Sequence, residues 1–393
     1  MNRTKAWGLS LVAALLLAAC GGGDPDVPGS GSPSGAPTTK GAFTAVVVFG
    51  SSESDAGTYA PATSLAGNGQ APYFGGKFTT NSATGTVWVE NLATALGVLV
   101  TPAEVGFAGT SVKCPAAGLG APNSCTDYAQ GGARVTDPNG VNHAGGALTV
   151  PLVTQIDNHL ASFNSFKPSD LIFVVGGIND LFVQFQTFAT TAAQIQTQAD
   201  SGAITADQAN LQLFAAQSQA QAGMKQAALE LAGYVRNKIL ANGGKYVAVA
   251  TIPDFADTPF GQSVPASARS VLSDLSLNFN LWLRDGLTGQ PVQIVESFNG
   301  IFTSVFNDPA KFGFANSTVP ACDAAVISAI TGGKVTDGSS LFCNSTAGAP
   351  YNGLRAGADA TTWFFADSVH PTTGGHKLIS DEITQELKAF GWI

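Results

Sequence analysis

The sequence predicts an α/β fold built on a mostly parallel sheet. Three short, continuous apolar runs lie at residues 45–49, 171–175 and 246–250, and each is followed within a few positions by Gly, Asn, Asp or Pro. Such runs suit strands that are buried on both faces of a sheet. Stretches with helical character separate them, and this alternation favours parallel pairing, because a crossover helix returns the chain to the same edge.

The helical stretches are predicted from apolar periodicity and composition. They lie at residues 87–96, 150–163, about 187–241 and 267–285. The stretch at 187–241 is rich in Ala, Gln and Leu and carries few charges, so we interpret it as a pair of helices inserted into the α/β pattern. Two interpretations of this pair stay open: a packed hairpin that covers the sheet, or a lid or groove beside the functional site.

The composition is that of a globular protein with a large buried core. Of 393 residues, 45% are hydrophobic and 11% are charged, which fits one large domain or two smaller ones. The formal net charge is -9, and the 18 basic residues are scattered without a run. Because phosphate binding needs clustered Lys and Arg, no nucleic-acid partner is expected.

The N-terminus carries the features of an export signal. Arg3 and Lys5 precede an apolar run at residues 11–17, and small residues then lead to Cys20. This pattern resembles a bacterial lipobox, which implies a signal peptide at 1–19, cleavage before Cys20 and lipidation of that cysteine. The apolar run is too short to span a bilayer in the mature protein.

The residues that follow Cys20 are rich in Pro, Gly, Ser and Thr, so residues 20–40 are predicted to form a flexible tether to a folded domain at 43–393. By resemblance to other lipoproteins, Gly21 at the second mature position favours the outer membrane. We therefore expect an exported lipoprotein of the bacterial cell envelope that faces the periplasm or the cell surface. The alternative is an ordinary secretory signal with a cysteine there by chance.

Four cysteines remain after the lipidation candidate. They are spaced as Cys114 with Cys125 and Cys322 with Cys343, within segments rich in Gly, Pro and Asn. In an oxidising compartment they most simply form two local disulfides. A metal site is not expected, because the chain has no CxxC pair and no cluster of histidines near these cysteines.

An aspartate stands three residues before a histidine near the C-terminus. Asp367 and His370 form this pair, in a chain with only four histidines. Hydrolysis by a serine needs a base that is oriented by a carboxylate, so the pair is a candidate for both roles.

Polar groups follow the first two apolar runs, at the edge of the sheet where parallel strands end. Ser52 comes just after the first run, and Asn179 lies in a Gly-Gly-Ile-Asn-Asp segment after the second. Gly131 and Gly132 offer backbone amides from a further turn. Taken singly, each of these features is also typical of turns and helix caps. Taken together, they lie where the chemistry of such sheets collects.

These segments resemble the SGNH, or GDSL, hydrolase family. Four of the family's sequence blocks occur in the family's order, with the matches Phe49, Gly50, Ser52, Ser54, Asp55 and Gly57; residues 128–133; residues 177–180; and residues 367–371. The resemblance covers about residue 43 to the C-terminus, with insertions. It implies a three-layer α/β/α, flavodoxin-like fold. It also implies an enzyme that hydrolyses esters without a cofactor.

The resemblance also implies roles for single residues. Ser52 is expected to be the nucleophile and His370 its base, with Asp367 orienting the imidazole. The oxyanion is expected to be held by the backbone amides of Ser52 and Gly132 and by the side chain of Asn179.

The match departs from the family at the name-giving tetrapeptide. The Asp and Leu of Gly-Asp-Ser-Leu are Ser51 and Glu53 in this chain. A shifted register would make Ser51 or Ser54 the nucleophile, but only Ser52 keeps the flanking residues in step. Gly131 is the alternative oxyanion donor if the alignment slips by one residue.

The other titratable candidates are expected to be structural. His143 lies in a Gly- and Asn-rich loop, His159 on an amphipathic helix, and His376 just beyond the fourth of the matched blocks. Asp180 is most simply a turn or cap residue, with a hydrogen bond inside the active-site network as the alternative.

The expected function is therefore serine ester hydrolysis, on acyl esters as in lipases and phospholipases. Phenylalanine outnumbers tyrosine 24 to 6, and Phe182, Phe185 and Phe188 lie near the helical insertion, which favours apolar substrate contacts. The alternatives are a glycan O-acetyl esterase, which the same family includes, and a non-catalytic surface-binding lipoprotein on the same scaffold. The sequence gives no indication of the oligomeric state.

Overall fold

The computed structural model describes residues 33–66, 76–348 and 352–393. The predicted signal peptide, the lipidation candidate Cys20 and the tether as far as residue 32 lie outside the described residues. The end of the predicted tether lies against the C-terminal region, where the Ser34 amide donates to the Gln290 carbonyl and the Trp392 indole donates to the Pro37 carbonyl.

The sheet-forming segments are short, and three of the six, β1, β4 and β5, are buried. The strands are β1 Ala45–Gly50, β2 Glu104–Phe107, β3 Thr110–Lys113, β4 Asp170–Val175, β5 Tyr246–Ala250 and β6 Gln293–Val295.

Helices account for most of the remaining regular structure. The α-helices are α1 Ala60–Ala66, α2 Trp88–Ala95, α3 Leu152–Phe163, α4 Ile178–Asp200, α5 Ala206–Tyr234, α6 Pro259–Ser263, α7 Ala266–Gly286, α8 Ser297–Asn307, α9 Ala324–Ile330 and α10 Thr373–Ala389. No helix within the described ranges is both long enough and apolar enough to cross a membrane.

The central sheet is parallel, with the order β1-β4-β5-β6. Residues 126–130 extend it beyond β1, since the Val48 amide donates to the Thr126 carbonyl and the Tyr128 amide donates to the Val48 carbonyl. The edge segment and β1 thus come before β4, β5 and β6 across the sheet, which is a flavodoxin-like order. In such a sheet, successive strands are added on one side of β1 and then on the other, so the order reverses between β1 and β4. Ligands of these folds bind beyond the strand ends at this point.

The two faces of the sheet are covered by separate helical layers. Val47 and Phe49 of β1 belong to a core with residues of α3, α4, α5 and α7. Val46 and Val48 belong to a second core with residues of α2, α8 and α10. Alternate strand residues point to opposite faces, so continuous apolar strands require a layer on each side. The predicted three-layer α/β/α fold is confirmed.

Several elements differ from their prediction. The helix pair expected at 187–241 begins earlier, because α4 starts at Ile178, directly after Gly177 at φ +102°. Three strands, β2, β3 and β6, were not anticipated. β6 has only three residues, and β3 is fully exposed, so neither forms a continuous apolar run.

Candidate active site

Ser52 lies directly beyond the carboxyl end of β1. Gly50 ends the strand, and its amide and carbonyl are both held by the Gln155 side chain of α3, each at 2.9 Å. A single turn of 3-10 helix then runs from Ser52 to Ser54. Ser52 is 5% exposed. The strand and Gln155 therefore fix the position of the turn that carries the predicted nucleophile.

Asp367 and His370 are joined through the imidazole ring. Nδ1 of His370 lies 2.9 Å from Oδ1 and 2.8 Å from Oδ2 of Asp367. The amides of Val369 and His370 donate to Oδ1, and the amide of Ser340 donates to Oδ2. This arrangement holds Nδ1 on the carboxylate and leaves Nε2 for a reacting group.

The two members of the pair stabilise each other's charge. Burial raises the pKa of Asp367, but the charge of His370 and the hydrogen bonds from His370, Ser340 and Val369 outweigh burial and leave this pKa well below its usual range. Burial lowers the pKa of His370, but the charge and hydrogen bond of Asp367, followed by the charge of Glu53, leave it raised. The pair therefore favours an imidazolium, the state that forms when the base takes a proton.

The three predicted oxyanion donors belong to separate segments, and each has an N–H group that no acceptor among the described residues takes up. Within the described ranges, the backbone amides of Ser52 and Gly132 donate to no other residue. Nδ2 of Asn179, in the first turn of α4, donates one hydrogen bond of 2.9 Å to the Ala133 carbonyl. An amide nitrogen carries two N–H groups, so Asn179 has a second donor for a ligand.

The loop that carries Gly132 is held by two buried aspartates. Asp55 accepts from the amide of Gly131 at 2.9 Å, and Asp180 accepts from the amide of Val135 at 2.9 Å. Gly132 has φ +85°, and a Cβ there would lie 2.2 Å from the Val141 carbonyl oxygen. Only glycine fits this conformation and this space.

The two alternative nucleophiles and the alternative oxyanion donor are occupied by other contacts. Ser54 Oγ accepts from the Trp88 indole, and Ser51 Oγ donates to Glu53. The Gly131 amide donates to Asp55, so it is not available to an oxyanion. These contacts favour Ser52 over Ser54 and Gly132 over Gly131. They do not separate Ser52 from Ser51, because Ser52 Oγ donates to the same Glu53 oxygen.

Phe78 bridges the Gly131 loop and the base. Its ring centroid is 4.7 Å from that of His370, and a Cβ on Gly131 would lie 2.2 Å from the Phe78 ring. The sequence gives no sign of this role, because Phe78 lies outside the matched blocks.

Glu53 is the second residue whose importance is not apparent from the sequence blocks. It is 1% exposed, and both Ser51 Oγ and Ser52 Oγ donate to its Oε2 at 3.2 Å. Within the described residues, no hydrogen bond joins Ser52 Oγ to the His370 ring. The departure from the family's leucine could have drawn attention to this position.

The remaining histidines have other surroundings. His376 is fully buried: its Nδ1 accepts from the Trp88 amide, and its Nε2 contacts the Phe78 carbonyl. His159 is stacked on Phe166 with 4.4 Å between ring centroids. Burial lowers the pKa of His376 to about 3 and that of His159 to about 4, so both are neutral packing residues at neutral pH. His143 is exposed and contacts Thr149.

The structure contains both disulfides that the cysteine spacing predicted. They join Cys114 to Cys125 and Cys322 to Cys343. The second disulfide closes the loop that presents the Ser340 amide to Asp367, and the Cys322 amide donates to the Ala366 carbonyl beside that aspartate. This disulfide therefore supports the environment of the Asp367 carboxylate.

Among the described residues, no group of three or more His, Cys, Asp or Glu side chains is arranged to hold a metal ion. A parallel three-layer fold, a serine at the end of β1 and a hydrogen-bonded Asp367–His370 pair are features of serine-dependent hydrolases. The sequence matches the GDSL-like lipase/acylhydrolase family over residues 46–383, well over half of the chain, and the protein belongs to this family. It acts on ester bonds. The chain matches none of the curated proteins with which it was compared.

Proposed function

We propose that this ester hydrolase acts on acyl, lipid-like carboxylic esters, with Ser52, His370 and Asp367 as its catalytic triad. The observation that carries the proposal is the hydrogen-bonded Asp367–His370 pair, together with the backbone amides of Ser52 and Gly132, which donate to no other residue in the described ranges. A serine beside such amides can attack a carbonyl carbon while the developing oxyanion accepts their hydrogen bonds.

Each half of the reaction uses two proton transfers at His370. Ser52 Oγ attacks the ester carbonyl carbon and gives its proton to Nε2 of His370. The bond to the alkoxy oxygen then breaks, and His370 returns the proton to the leaving alcohol. Water attacks the acyl-enzyme by the same route, which releases the carboxylic acid and restores Ser52. Each oxyanion donor lowers the barrier by about 2.7–4 kcal/mol.

An aromatic cluster beside the site supports an acyl substrate. The cluster consists of Phe182, Phe185, Phe255 and Phe260, with ring centroids 5.0–5.9 Å apart in the contacting pairs. Phe182 lies one turn beyond Asn179 on α4, and the Phe260 amide donates to the Ser368 carbonyl in the loop that carries His370. Phe182 and Phe260 are only partly buried. An apolar surface between an oxyanion donor and the base suits a hydrocarbon chain.

We further propose that a lipid on Cys20 holds the enzyme in the bacterial cell envelope, at the outer membrane. The basis is the sequence alone: the basic residues, the short apolar run and the small residues before Cys20. Globomycin-sensitive processing and loss of membrane association in Cys20→Ala are the expected results. Unchanged fractionation of that variant would exclude the anchor.

The experiment that tests the function is covalent labelling followed by substrate profiling. A fluorophosphonate probe should label folded wild type and not Ser52→Ala. Turnover of p-nitrophenyl esters should then extend from acetate to longer acyl chains. Turnover of acetate alone would favour a glycan O-acetyl esterase, and absence of labelling in folded wild type would favour a non-catalytic binding protein.

A further inference from the structure

Glu53 is a buried carboxylate in direct contact with the predicted nucleophile. It occupies the position that is leucine in the Gly-Asp-Ser-Leu tetrapeptide, and it is 1% exposed. Ser51 Oγ and Ser52 Oγ each donate to its Oε2 at 3.2 Å. A buried carboxylate is costly unless hydrogen bonds and a nearby positive charge stabilise it. The two serines supply the hydrogen bonds.

Protonated His370 is the positive charge on which Glu53 acts. No lysine or arginine within the described residues forms an ion pair with Glu53. The electrostatic influence of Glu53 reaches His370 directly, in addition to that of Asp367. Two carboxylates therefore act on the imidazole: Asp367 through hydrogen bonds at Nδ1, and Glu53, which accepts from Ser52, through its charge.

We propose that Glu53 is a positioning residue of the hydrolase site, which holds the Ser52 hydroxyl in the resting enzyme and stabilises protonated His370 from the side of the nucleophile. The inference rests on the proposed roles of Ser52 and His370. It assigns a role to the residue at which the chain departs from the family's tetrapeptide.

The resting hydrogen bond has a consequence for the first chemical step. A hydroxyl has one proton, so while Ser52 donates to Glu53 it cannot also donate to Nε2 of His370. The Ser52 hydroxyl proton must turn from Glu53 to His370 before attack. Once the proton has moved to His370, the charges of Asp367 and Glu53 both stabilise the imidazolium.

The charge environment of His370 includes groups from several elements. Asp367 belongs to its own loop, and Glu53 to the turn after β1. The other charged or titratable groups around this part of the molecule are Asp55, Tyr59, Lys77, Glu90, Asp127 and His376. Lys77 and Glu90 pair with each other at 2.7 Å, and His376 is neutral. These three residues therefore do not supply the charge that Glu53 contributes at the imidazole.

The sign of the pH effect follows from the state that the base needs. His370 must be neutral to accept the Ser52 proton, so activity rises with pH through the pKa of His370 in the free enzyme. Burial lowers this pKa, Asp367 raises it, and Glu53 raises it further. Loss of the Glu53 charge should therefore move the acidic limb of the profile to lower pH.

The test compares the pH dependence of fluorophosphonate inactivation in wild type, Glu53→Gln and Glu53→Leu. Glutamine keeps the shape and an oxygen acceptor without the charge, and leucine is the family's residue. In both of these variants, the acidic limb of the pH profile should move to lower pH by about one unit. Glu53→Asp keeps the charge and should keep a limb near that of wild type. Glu382→Gln, on the second half of α10, removes the same net charge away from the site and serves as the control.

The outcomes separate this inference from the proposed function. Absence of labelling in folded wild type would overturn both. Labelling of wild type with unmoved limbs in Glu53→Gln and Glu53→Leu would overturn the role of Glu53 alone. If one neutral variant does not fold by circular dichroism, the other decides. If both fail while Glu53→Asp folds, the carboxylate serves the stability of the fold, and the proposal is wrong.

Discussion

Gly132 is the residue whose conformation most restricts the oxyanion site. Its φ of +85° lies in the left-handed region, and the Val141 carbonyl oxygen leaves no space for a side chain. Gly109 has a similar φ of +80°, but an added Cβ there would meet nothing within 4 Å. A side chain would strain the backbone at both positions, but only at Gly132 would its Cβ also collide with a neighbouring carbonyl oxygen.

The first prediction compares Gly132→Ala with Gly109→Ala. We expect Gly109→Ala to lose about 1–2 kcal/mol of stability with kcat/KM near that of wild type. Gly132→Ala should lose more stability and at least about 100-fold in kcat/KM, because its amide is displaced from the oxyanion. Thermal melts and ester turnover measure both effects. Equal activity in the two variants would exclude Gly132 as an oxyanion donor.

Asp55 connects the loop of the nucleophile to the loop of Gly132. Its carboxylate accepts from the amides of Gly57, Thr58 and Gly131 at 2.7–2.9 Å. Burial nevertheless outweighs these hydrogen bonds and raises the pKa of Asp55 to about 6. A group whose pKa is raised on folding stabilises the fold below its unfolded pKa, and this contribution is lost as pH rises through the folded value.

The second prediction follows from that sign. Between about pH 4 and about pH 6, wild type should lose about 2–3 kcal/mol of unfolding free energy through Asp55. Asp55→Asn cannot titrate, so the stability difference between the two proteins should change in this window. Denaturant unfolding at several pH values measures it. A difference that is constant with pH would show that the Asp55 pKa is the same in both states.

At the scale of elements, the disulfide-closed loop at residues 322–343 is part of the site as well as of the fold. It delivers the Ser340 amide to Asp367. The loop closed by Cys114 and Cys125 has no hydrogen bond to Asp367 or His370 among the described residues, so its removal is a matched comparison.

The third prediction compares two double variants, each of which removes one disulfide. Each should lose about 2–4 kcal/mol of stability through the greater entropy of the unfolded chain. Only Cys322→Ala/Cys343→Ala should also lower kcat, because Asp367 loses a fixed hydrogen-bond donor. Activity is measured below the melting temperature of both variants. An equal fall in kcat for Cys114→Ala/Cys125→Ala would show that the effect is one of general stability.

The aromatic cluster and the hairpin of α4 and α5 can be separated experimentally. Phe260 belongs to the cluster, whereas Phe214 on α5 is 69% exposed. The carboxyl-terminal half of α5 packs on the sheet through residues such as Met224 and Leu231, so this part of the hairpin is a cover for the core.

The fourth prediction concerns acyl-chain preference. Phe260→Ala should lower turnover of long-chain esters about 10-fold relative to acetate, because apolar contact area is lost. Phe214→Ala should leave this ratio unchanged. The same p-nitrophenyl ester series measures both. A matching change in Phe214→Ala would favour the interpretation of the hairpin as a lid.

At the scale of the whole molecule, the sequence predicts the architecture because its central strands are continuous apolar runs. β1, β4 and β5 are buried on both faces, which a single sequence displays directly. β6 is too short for such a signal, and residues 126–130 pair with β1 while remaining irregular. The pairing of these segments with the sheet is set by the rest of the fold and not by a local sequence pattern.

Part of the candidate site can also be predicted from the sequence. Ser52 and Asn179 follow strand ends and Asp367 and His370 form a local pair, so these residues can be picked out from the sequence, while their roles come from the resemblance to the family's blocks and stay predictions. The roles of Phe78 and Glu53 could not be predicted, because each depends on a contact across the site. Phe78 meets His370 from far along the chain, and the significance of Glu53 depends on its burial and on the direction of the Ser52 hydroxyl.

The most direct test of the account is to locate the fluorophosphonate adduct by peptide mass spectrometry, in wild type and in single alanine variants of Ser51, Ser52 and Ser54. One adduct is expected, on Ser52, which persists in Ser51→Ala and Ser54→Ala and is absent from Ser52→Ala. An adduct on another serine, or undiminished labelling of folded Ser52→Ala, would contradict the central claim that Ser52 is the nucleophile.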